Sequence, residues 1–269
     1  AEDNRIKISA TNLSTTIVTH VGASIEKDGS ITVPAKMLRD FVSNLSSSNL
    51  EVLLKEDILQ ITSDSTKSKF NGIPAEDYPD LPEERKNIKV VELNPTEFYE
   101  AVTSVSFSAS IDDSRPIFTG IYLKSDGKVI TLAASDGFRL SETTITTEKN
   151  SEEFEIIIPA KTLMDVIRVF SDVEETIKLA LDTNDNLALF KQGDTLIATR
   201  IIDGEYPDYT KIIPTDTNTK VEISANELLE AVKLTDVFAK EADSALLMKK
   251  DHKRSVSLAA STQESGEHK

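Results

Sequence analysis

Asp112 and Asp113 stand side by side and are the nearest approach in this chain to a carboxylate dyad. Such a pair performs acid–base catalysis only where burial or mutual repulsion drives the two pKa values apart. Here the surroundings are Ser110-Ile111-Asp112-Asp113-Ser114-Arg115, a polar stretch in which solvated carboxylates are the ordinary outcome. The histidines, His20, His252 and His268, are scattered, and none has a partner at metal-ligand spacing. Cysteine is absent, which removes thiolate nucleophiles, disulfides and Cys-based zinc sites. The nine glycines form neither a GxGxxG turn nor a phosphate loop ending in Gly-Lys-Ser/Thr. No catalytic residue, metal ligand or cofactor is therefore expected, and the chain reads as a binding protein.

The 269 residues are enough for two or three domains with cores of their own. A content of 39% hydrophobic and 28% charged residues is that of globular protein and excludes wholesale disorder. No apolar run is long enough for a membrane-spanning helix. Ala1-Glu2-Asp3-Asn4-Arg5 has neither a signal-peptide core nor an initiating Met, so the chain reads as a segment of a longer gene product. Lack of cysteine is compatible with a reducing cytoplasm. The net charge of −16 argues against tight phosphate binding over the whole surface, although where the cations sit matters more than their sum.

The chain repeats. Val33-Pro34-Ala35-Lys36 returns as Ile158-Pro159-Ala160-Lys161, 125 residues on, and each copy runs into a helix-like stretch, 37–45 and 162–170. Tyr78-Pro79-Asp80 returns as Tyr206-Pro207-Asp208 at an offset of 128. Val91-Glu92-Leu93, with Glu97 and Glu100-Ala101-Val102, returns as Val221-Glu222-Ile223, with Glu227 and Glu230-Ala231-Val232, at 130. Leu132-Ala133-Ala134-Ser135 returns as Leu258-Ala259-Ala260-Ser261 at 126. Four ordered matches at nearly one offset imply three related units, at 1–90, 91–220 and 221–269, of which the middle one is complete.

In the middle unit, apolar residues at Phe98, Ala101, Val102 and Val105 predict a helix over 96–107, with Pro95 at its start. Segments 121–123 and 129–133 alternate around Ser125-Asp126-Gly127 and predict a hairpin. A second helix follows Pro159, with Leu163, Val166, Ile167 and Phe170 on one face. Three strands, 177–181, 187–190 and 196–202, then follow across turn sequences rich in Asp, Asn and Gly. This order predicts an α+β fold of antiparallel sheets with helices on one face. Sheet edges in such units are normally hidden by stacking neighbours or by closing a ring.

The middle unit also carries strings found together elsewhere. Ser114-Arg115-Pro116-Ile117-Phe118-Thr119-Gly120-Ile121 resembles the Arg-Pro-x-Leu-x-Gly-Val segment of bacterial sliding clamps, the beta subunits of DNA polymerase III. Ala134-Ser135-Asp136-Gly137-Phe138-Arg139-Leu140 resembles their Ala-Thr-Asp-Gly-His-Arg-Leu. Asp203-Gly204-Glu205-Tyr206-Pro207-Asp208-Tyr209 resembles their Asp-Gly-x-Phe/Tyr-Pro-Asp-Tyr, and Pro74-Ala75-Glu76-Asp77-Tyr78-Pro79 looks like the first-domain version. Ser261-Thr262-Gln263-Glu264-Ser265-Gly266-Glu267 looks like a third-domain string of the same family.

The resemblance implies a DNA-clamp fold. Three similar domains per subunit have sheets outside and helices lining a ring, which two subunits close head to tail around double-stranded DNA. It implies a non-catalytic processivity factor whose partners are the replicative polymerase, the clamp loader and repair polymerases. Such partners bind through short peptides in a cleft between the second and third domains. By motif position the cleft takes Phe118, Ser135, Gly137, Phe138, Arg139 and Leu140, together with Pro207, Lys211 and Ile212. Phe138 replaces the family's common His and Ser135 its common Thr, and the strand that completes the cleft is expected to lie outside this chain, as is the first unit's opening helix.

Lys36 and Arg39, three apart, share a helix face, as do Lys161 and Arg168, and Lys233 and Lys240, each pair seven apart. With Arg115 these are the expected DNA-facing cations, though solvated helix charge produces the same spacing. Phe238 and Ala239 fall at the family's subunit-interface position, and a core role for Phe238 fits equally well. Two other readings stand beside the clamp. An acidic, cysteine-free extracellular repeat module would lack the cleft and the basic helix face. A hydrolase built on Asp112 or Asp136 would need a deep pocket with a shifted carboxylate.

Overall fold

The computed structural model describes residues 4–46, 49–64, 66–81, 89–147, 152–170, 174–182, 185–241, 247–250, 255–262 and 266–268. It divides into two compact units, Ala1–Pro207 and Asp208–Lys269. The first takes in all of 1–90 and most of 91–220.

That unit opens with a hairpin, β1 (Arg5–Thr11) and β2 (Thr15–Gly22), followed by helix α1 (Ala35–Ser43). Three short strands form a sheet of their own, β3 (Glu51–Lys55), β4 (Ile58–Thr62) and β5 (Lys67–Asn71). Phe41 of α1 meets Phe70 of β5 edge to face, with ring centroids 5.2 Å apart.

Next come β6 (Lys89–Leu93) and α2 (Pro95–Ser106). α2 starts where it does because the Asn94 side chain accepts hydrogen bonds from the Thr96 and Glu97 N–H groups, and Pro95 has no N–H to satisfy. The strands β7 (Gly120–Ser125), β8 (Val129–Ser135), β9 (Leu140–Thr146) and β10 (Phe154–Pro159) form a four-stranded sheet in the order β10-β7-β8-β9. β10 runs directly into α3 (Ala160–Val169), and β11 (Ile177–Asp182), β12 (Leu187–Gln192) and β13 (Thr195–Arg200) complete the unit. The hairpin predicted at Ser125–Gly127 and the helices predicted after Pro95 and Pro159 are all present.

The larger sheet was not foreseen. It has six strands in the order β1-β2-β13-β12-β11-β6, all antiparallel neighbours. The hairpin from the first repeat thus hydrogen-bonds onto β13 of the second, with Thr15 to Thr19 opposite Thr199 to Thr195. The edges of β2 and β13 that meet here are thereby covered, and β1 and β6 are the edge strands of the joined sheet. Hydroxyls tie the seam further: Thr15 and Thr162 lie 3.1 Å apart through their Oγ1 atoms, and Thr19 and Thr195 lie 2.9 Å apart.

The core lies between the two larger sheets and α2 and α3. Phe98, Val102 and Val105 of α2 and Leu163 and Val166 of α3 are buried with Ile121, Leu123, Ile130 and Leu132 of the smaller sheet. Leu179, Phe190 and Ile197 come from the larger one, and Phe190 stacks on Phe98 at 6.1 Å. The α+β reading with antiparallel sheets holds.

The second unit holds α4 (Ala225–Glu241) and a three-stranded sheet, β14 (Leu247–Lys250), β15 (Val256–Thr262) and β16 (Gly266–His268). α4 packs on β15, where Leu258 and Ala260 are buried. Val221–Ile223, the repeat match of Val91–Leu93, is no strand here. β6 exists because β11 pairs with it, and Val221 and Ile223 have no such partner among the described residues.

Candidate peptide-binding site

The motif residues of the first unit converge on the turn between β8 and β9. Ser135 and Leu140 are cross-strand partners that close it. Within it the Ser135 hydroxyl accepts a hydrogen bond from Gly137 N–H at 3.1 Å. Asp136 Oδ1 accepts from Phe138 N–H at 2.9 Å and Arg139 N–H at 3.0 Å, an Asx turn. Arg139 folds back to bring Nε 2.9 Å from Asp136 Oδ2. These bonds hold the Asp136 carboxyl below its ordinary range, the Arg139 backbone bond most of all. Gly137 has φ of +93°, a conformation that favours glycine.

Behind the turn stands a row of aromatics. Phe118 meets Tyr206 edge to face at 6.1 Å, and Tyr206 stacks on Tyr122 at 5.0 Å. Burial pushes the Tyr206 phenol up to about 12, so it is a permanently neutral wall. Arg115 lies with its guanidinium 5.1 Å above the Phe118 ring and reaches the Asp136 carbonyl at 3.5 Å. The sequence grouped Arg115 with the DNA-facing cations. The structure places it at this turn, because the ring face and the carbonyl draw the guanidinium there.

Around this frame apolar side chains are accessible beside the exposed Arg139. Phe138 is 97% exposed, Leu140 is half-buried, and Pro207, next to the buried Tyr206, is exposed. A rigid turn presenting an unburied aromatic is an informative exception to burial rules. Lys211 and Ile212 belong to the second unit, on a short 3₁₀ turn over Tyr209–Ile212. Lys211 pairs with Asp208 at 2.9 Å, which raises its pKa, and Ile212 is exposed.

The alternative chemistry finds no support. Asp112 accepts hydrogen bonds from Ser114 N–H at 2.9 Å and Ser114 Oγ at 2.7 Å. Its carboxyl is thereby lowered, the direction opposite to a general acid. No group of three or more potential metal ligands occurs among the described residues. His252 lies outside them. Nor is any described helix long and apolar enough to cross a membrane.

Residues 1–82 match the model of the DNA polymerase III beta subunit N-terminal domain, and residues 92–208 match that of its central domain. The chain belongs to the DNA polymerase III beta subunit family. Among relatives, the beta sliding clamp of Synechococcus elongatus is 29% identical over 270 residues, covering 99% of this chain and 72% of that protein. That of Streptococcus pneumoniae is 30% identical over 213 residues, covering 78% of this chain and 56% of the relative. The crystal structure of the DNA polymerase III beta subunit from Thermotoga maritima superposes with a TM-score of 0.91 at 27% identity, covering 100% of this chain and 72% of that one. The Streptococcus pneumoniae beta chain gives 0.90 at 27%, covering 99% and 72%. As a beta subunit, the chain has the DNA-clamp fold and is a non-catalytic accessory subunit rather than an enzyme.

The other expected positions fall as follows. Lys36 and Arg39 of α1 are exposed, Arg39 bound to Asp40 at 2.7 Å. Lys161 and Arg168 of α3 are exposed, Arg168 bound to Asp165 at 3.1 Å. Lys233 is exposed on α4, whereas the Lys240 side chain is outside the described set. Ala239 is buried and Phe238 half-buried within the second unit.

The sequence reading missed Tyr122, which has no motif of its own, and the hairpin turn of the first repeat. The signal for the latter was present: Ala10-Thr11-Asn12 precedes Ala134-Ser135-Asp136 by 124 residues, close to the repeat offset.

Proposed function

We propose that this chain is a processivity factor of a replicative DNA polymerase. It acts in the cytoplasm within a homodimeric ring that encircles duplex DNA and slides without sequence preference. Family membership over both matched domains supports this reading. The three-domain division, 1–90, 91–220 and 221–269, belongs with it.

The polymerase catalytic subunit, the clamp loader and repair polymerases dock through short extended peptides on the Ser135–Leu140 turn. The observation that carries this is the exposed Phe138 and half-buried Leu140 on a turn stiffened by Asp136 and backed by Phe118 and Tyr206. Gly137 lets a peptide backbone approach, Arg139 frames the rim, and Pro207 supplies a rigid apolar edge. Lys211 and Ile212 share the role by their motif position. A fluorescein-labelled Gln-Leu-x-Leu-Phe peptide titrated into the chain extended to its natural ends tests it by anisotropy. Saturable binding weakened at least tenfold in a Leu140→Ala/Pro207→Ala variant is expected. A flat titration with well-folded protein overturns the assignment.

Lys36, Arg39, Lys161, Arg168, Lys233 and Lys240 meet DNA phosphates loosely, through water, which permits sliding. Phe238 and Ala239 serve the subunit interface. Neutralising the six cations is expected to flatten the salt dependence of DNA association by the ring.

A further inference from the structure

The outer face of the six-stranded sheet, turned away from the core, carries a cluster of cations beside apolar residues. Val18 and Leu196 are cross-strand partners on that face, and Lys191 lies opposite Leu196. Lys178 lies opposite Lys191 and, on its other side, opposite Glu92. On β1 and β2, Lys7 faces His20. One cavity of about 270 Å³ is lined by Arg5, Lys7, Val18, His20, Lys191 and Leu196, among others. A second of about 220 Å³ shares Lys191 and Leu196 and extends to Lys178, Glu92 and Leu189. Together they form one groove running across the strands.

The floor of the groove is apolar: Val18, Ala180 and Leu189 are buried there, with Leu196 half-buried beside them and Leu81 on the rim of the first cavity. Its walls are cationic. Among the described lining residues, Arg5, Lys7, Lys178 and Lys191 stand against the carboxylates of Glu92 and Asp194, on a chain whose net charge is −16. Asp194 is held by Arg5 at 2.8 Å. Neither Lys7 nor Lys178 has an acidic partner among the described residues, and Lys7, His20 and Lys191 are half-buried rather than splayed into solvent. A local excess of cations over apolar floor, on an acidic protein, is complementary to an acidic segment with an apolar side chain.

We propose that this groove binds an extended acidic peptide of a partner protein, independently of the Ser135–Leu140 turn. The peptide's carboxylates pair with Lys7, Lys178 and Lys191, and an apolar side chain rests on Val18 and Leu196. Peptide fits better than nucleic acid, because no aromatic residue among the described ones lines either cavity for base stacking and Glu92 and Asp194 repel phosphates. The span from β1 to β11 is about 19 Å at the usual strand spacing, the reach of roughly six extended residues.

The test uses the whole chain and a fluorescein-labelled octapeptide of two Glu-Asp-Leu-Ser repeats, read by anisotropy at low salt. Saturable binding is expected, weakened at least tenfold by Lys7→Gln/Lys191→Gln and unchanged by Lys36→Gln/Lys161→Gln, two cations outside the groove. A Leu140→Ala/Pro207→Ala variant retaining full octapeptide binding separates this groove from the turn. A peptide carrying benzoylphenylalanine in place of Leu is expected to crosslink to the strand segments holding Val18 or Leu196, which keeps the answer independent of variant folding. Equal loss in both lysine pairs, or crosslinking elsewhere, overturns the proposal in favour of diffuse charge attraction. A single-stranded oligonucleotide of equal charge that binds more tightly through Lys7 and Lys191 overturns it in favour of nucleic acid. Self-association of the chain abolished by Lys7→Gln/Lys191→Gln overturns it in favour of a second copy.

Discussion

Asn12 and Asp136 occupy equivalent turns in successive repeats and make the same bonds. Asn12 Oδ1 accepts from the N–H groups of Ser14 at 3.0 Å and Thr15 at 2.7 Å, as Asp136 Oδ1 accepts from Phe138 and Arg139. The preceding hydroxyl also matches: Thr11 Oγ1 accepts from Leu13 N–H at 3.1 Å, as Ser135 Oγ accepts from Gly137. The two turns share one hydrogen-bond pattern on different side chains. Asn12→Ala is expected to cost about 1 kcal/mol, since two backbone donors lose their acceptor to water. Urea denaturation of the chain measures it.

The third position of the turn differs between the copies. Leu13 holds φ of +73° and is 73% exposed, where the second repeat has Gly137. A side chain in that conformation costs on the order of 1 kcal/mol and here returns little packing. Leu13→Gly is therefore expected to be stabilising by about 0.5 kcal/mol after the greater chain entropy of glycine is set against it. Gly137→Ala should do the reverse, and its added Cβ would lie 3.5 Å from Arg115 Nη1. Paired melts of the two variants decide this.

Four turn carboxylates share one pH signature. Asp112, Asp126, Asp136 and Asp208 are all held below the ordinary 3.8. Backbone bonds from Ser114, Val129 and Arg139 are the chief causes for the first three, and the Thr210 hydroxyl is for Asp208. Below that value the unfolded chain takes up protons that the folded chain refuses. Their stabilisation is complete above about pH 4 and disappears as pH falls through the lowered folded values. Asp136→Asn, which keeps the acceptor but cannot titrate, is expected to give a shallower fall in Tm between about pH 4 and pH 2. Calorimetry across that range checks it.

Arg115 provides a test of the proposed peptide site against the proposed DNA-facing set. Its guanidinium covers Phe118 and reaches the Asp136 carbonyl, so Arg115→Ala is expected to weaken Gln-Leu-x-Leu-Phe peptide binding about three- to tenfold. The salt slope of DNA association by the ring should stay as it was. A changed slope with intact peptide affinity would return Arg115 to the DNA-facing set.

Thr162 is buried, and its hydroxyl meets those of Thr15 at 3.1 Å and Thr199 at 3.4 Å. Thr162→Val keeps the shape and removes the bonds to Thr15 and Thr199, of which Thr199 keeps the Arg200 carbonyl as acceptor, at an expected cost of about 1 kcal/mol. Chemical denaturation followed by circular dichroism reads the loss.

Much of this was legible in the residues. Helices α2 and α3 follow from Pro95 and Pro159 and from apolar spacing, since local periodicity and missing N–H groups act within a few residues. The β7–β8 hairpin follows from Asp126-Gly127 for the same reason. The turn from Ser135 to Leu140 was legible as a motif, because Asx chemistry is local. The six-stranded sheet was not. Pairing Thr15–Thr19 with Thr195–Thr199 joins segments some 180 residues apart, and no local preference of threonine names its partner strand. The contact of Arg115 with the Phe118 ring was not legible either, because spacing along the chain does not name the ring beneath a guanidinium.

The pairing of β2 with β13 makes the boundary between the first two repeats a weld rather than a hinge. A linker lets neighbours swivel at little energetic cost, whereas a shared sheet moves only by breaking its ladder. Bending there needs consecutive backbone bonds and the hydroxyl pairs of Thr15 and Thr19 to part together. Under a sideways load the two repeats respond as one stiff plate.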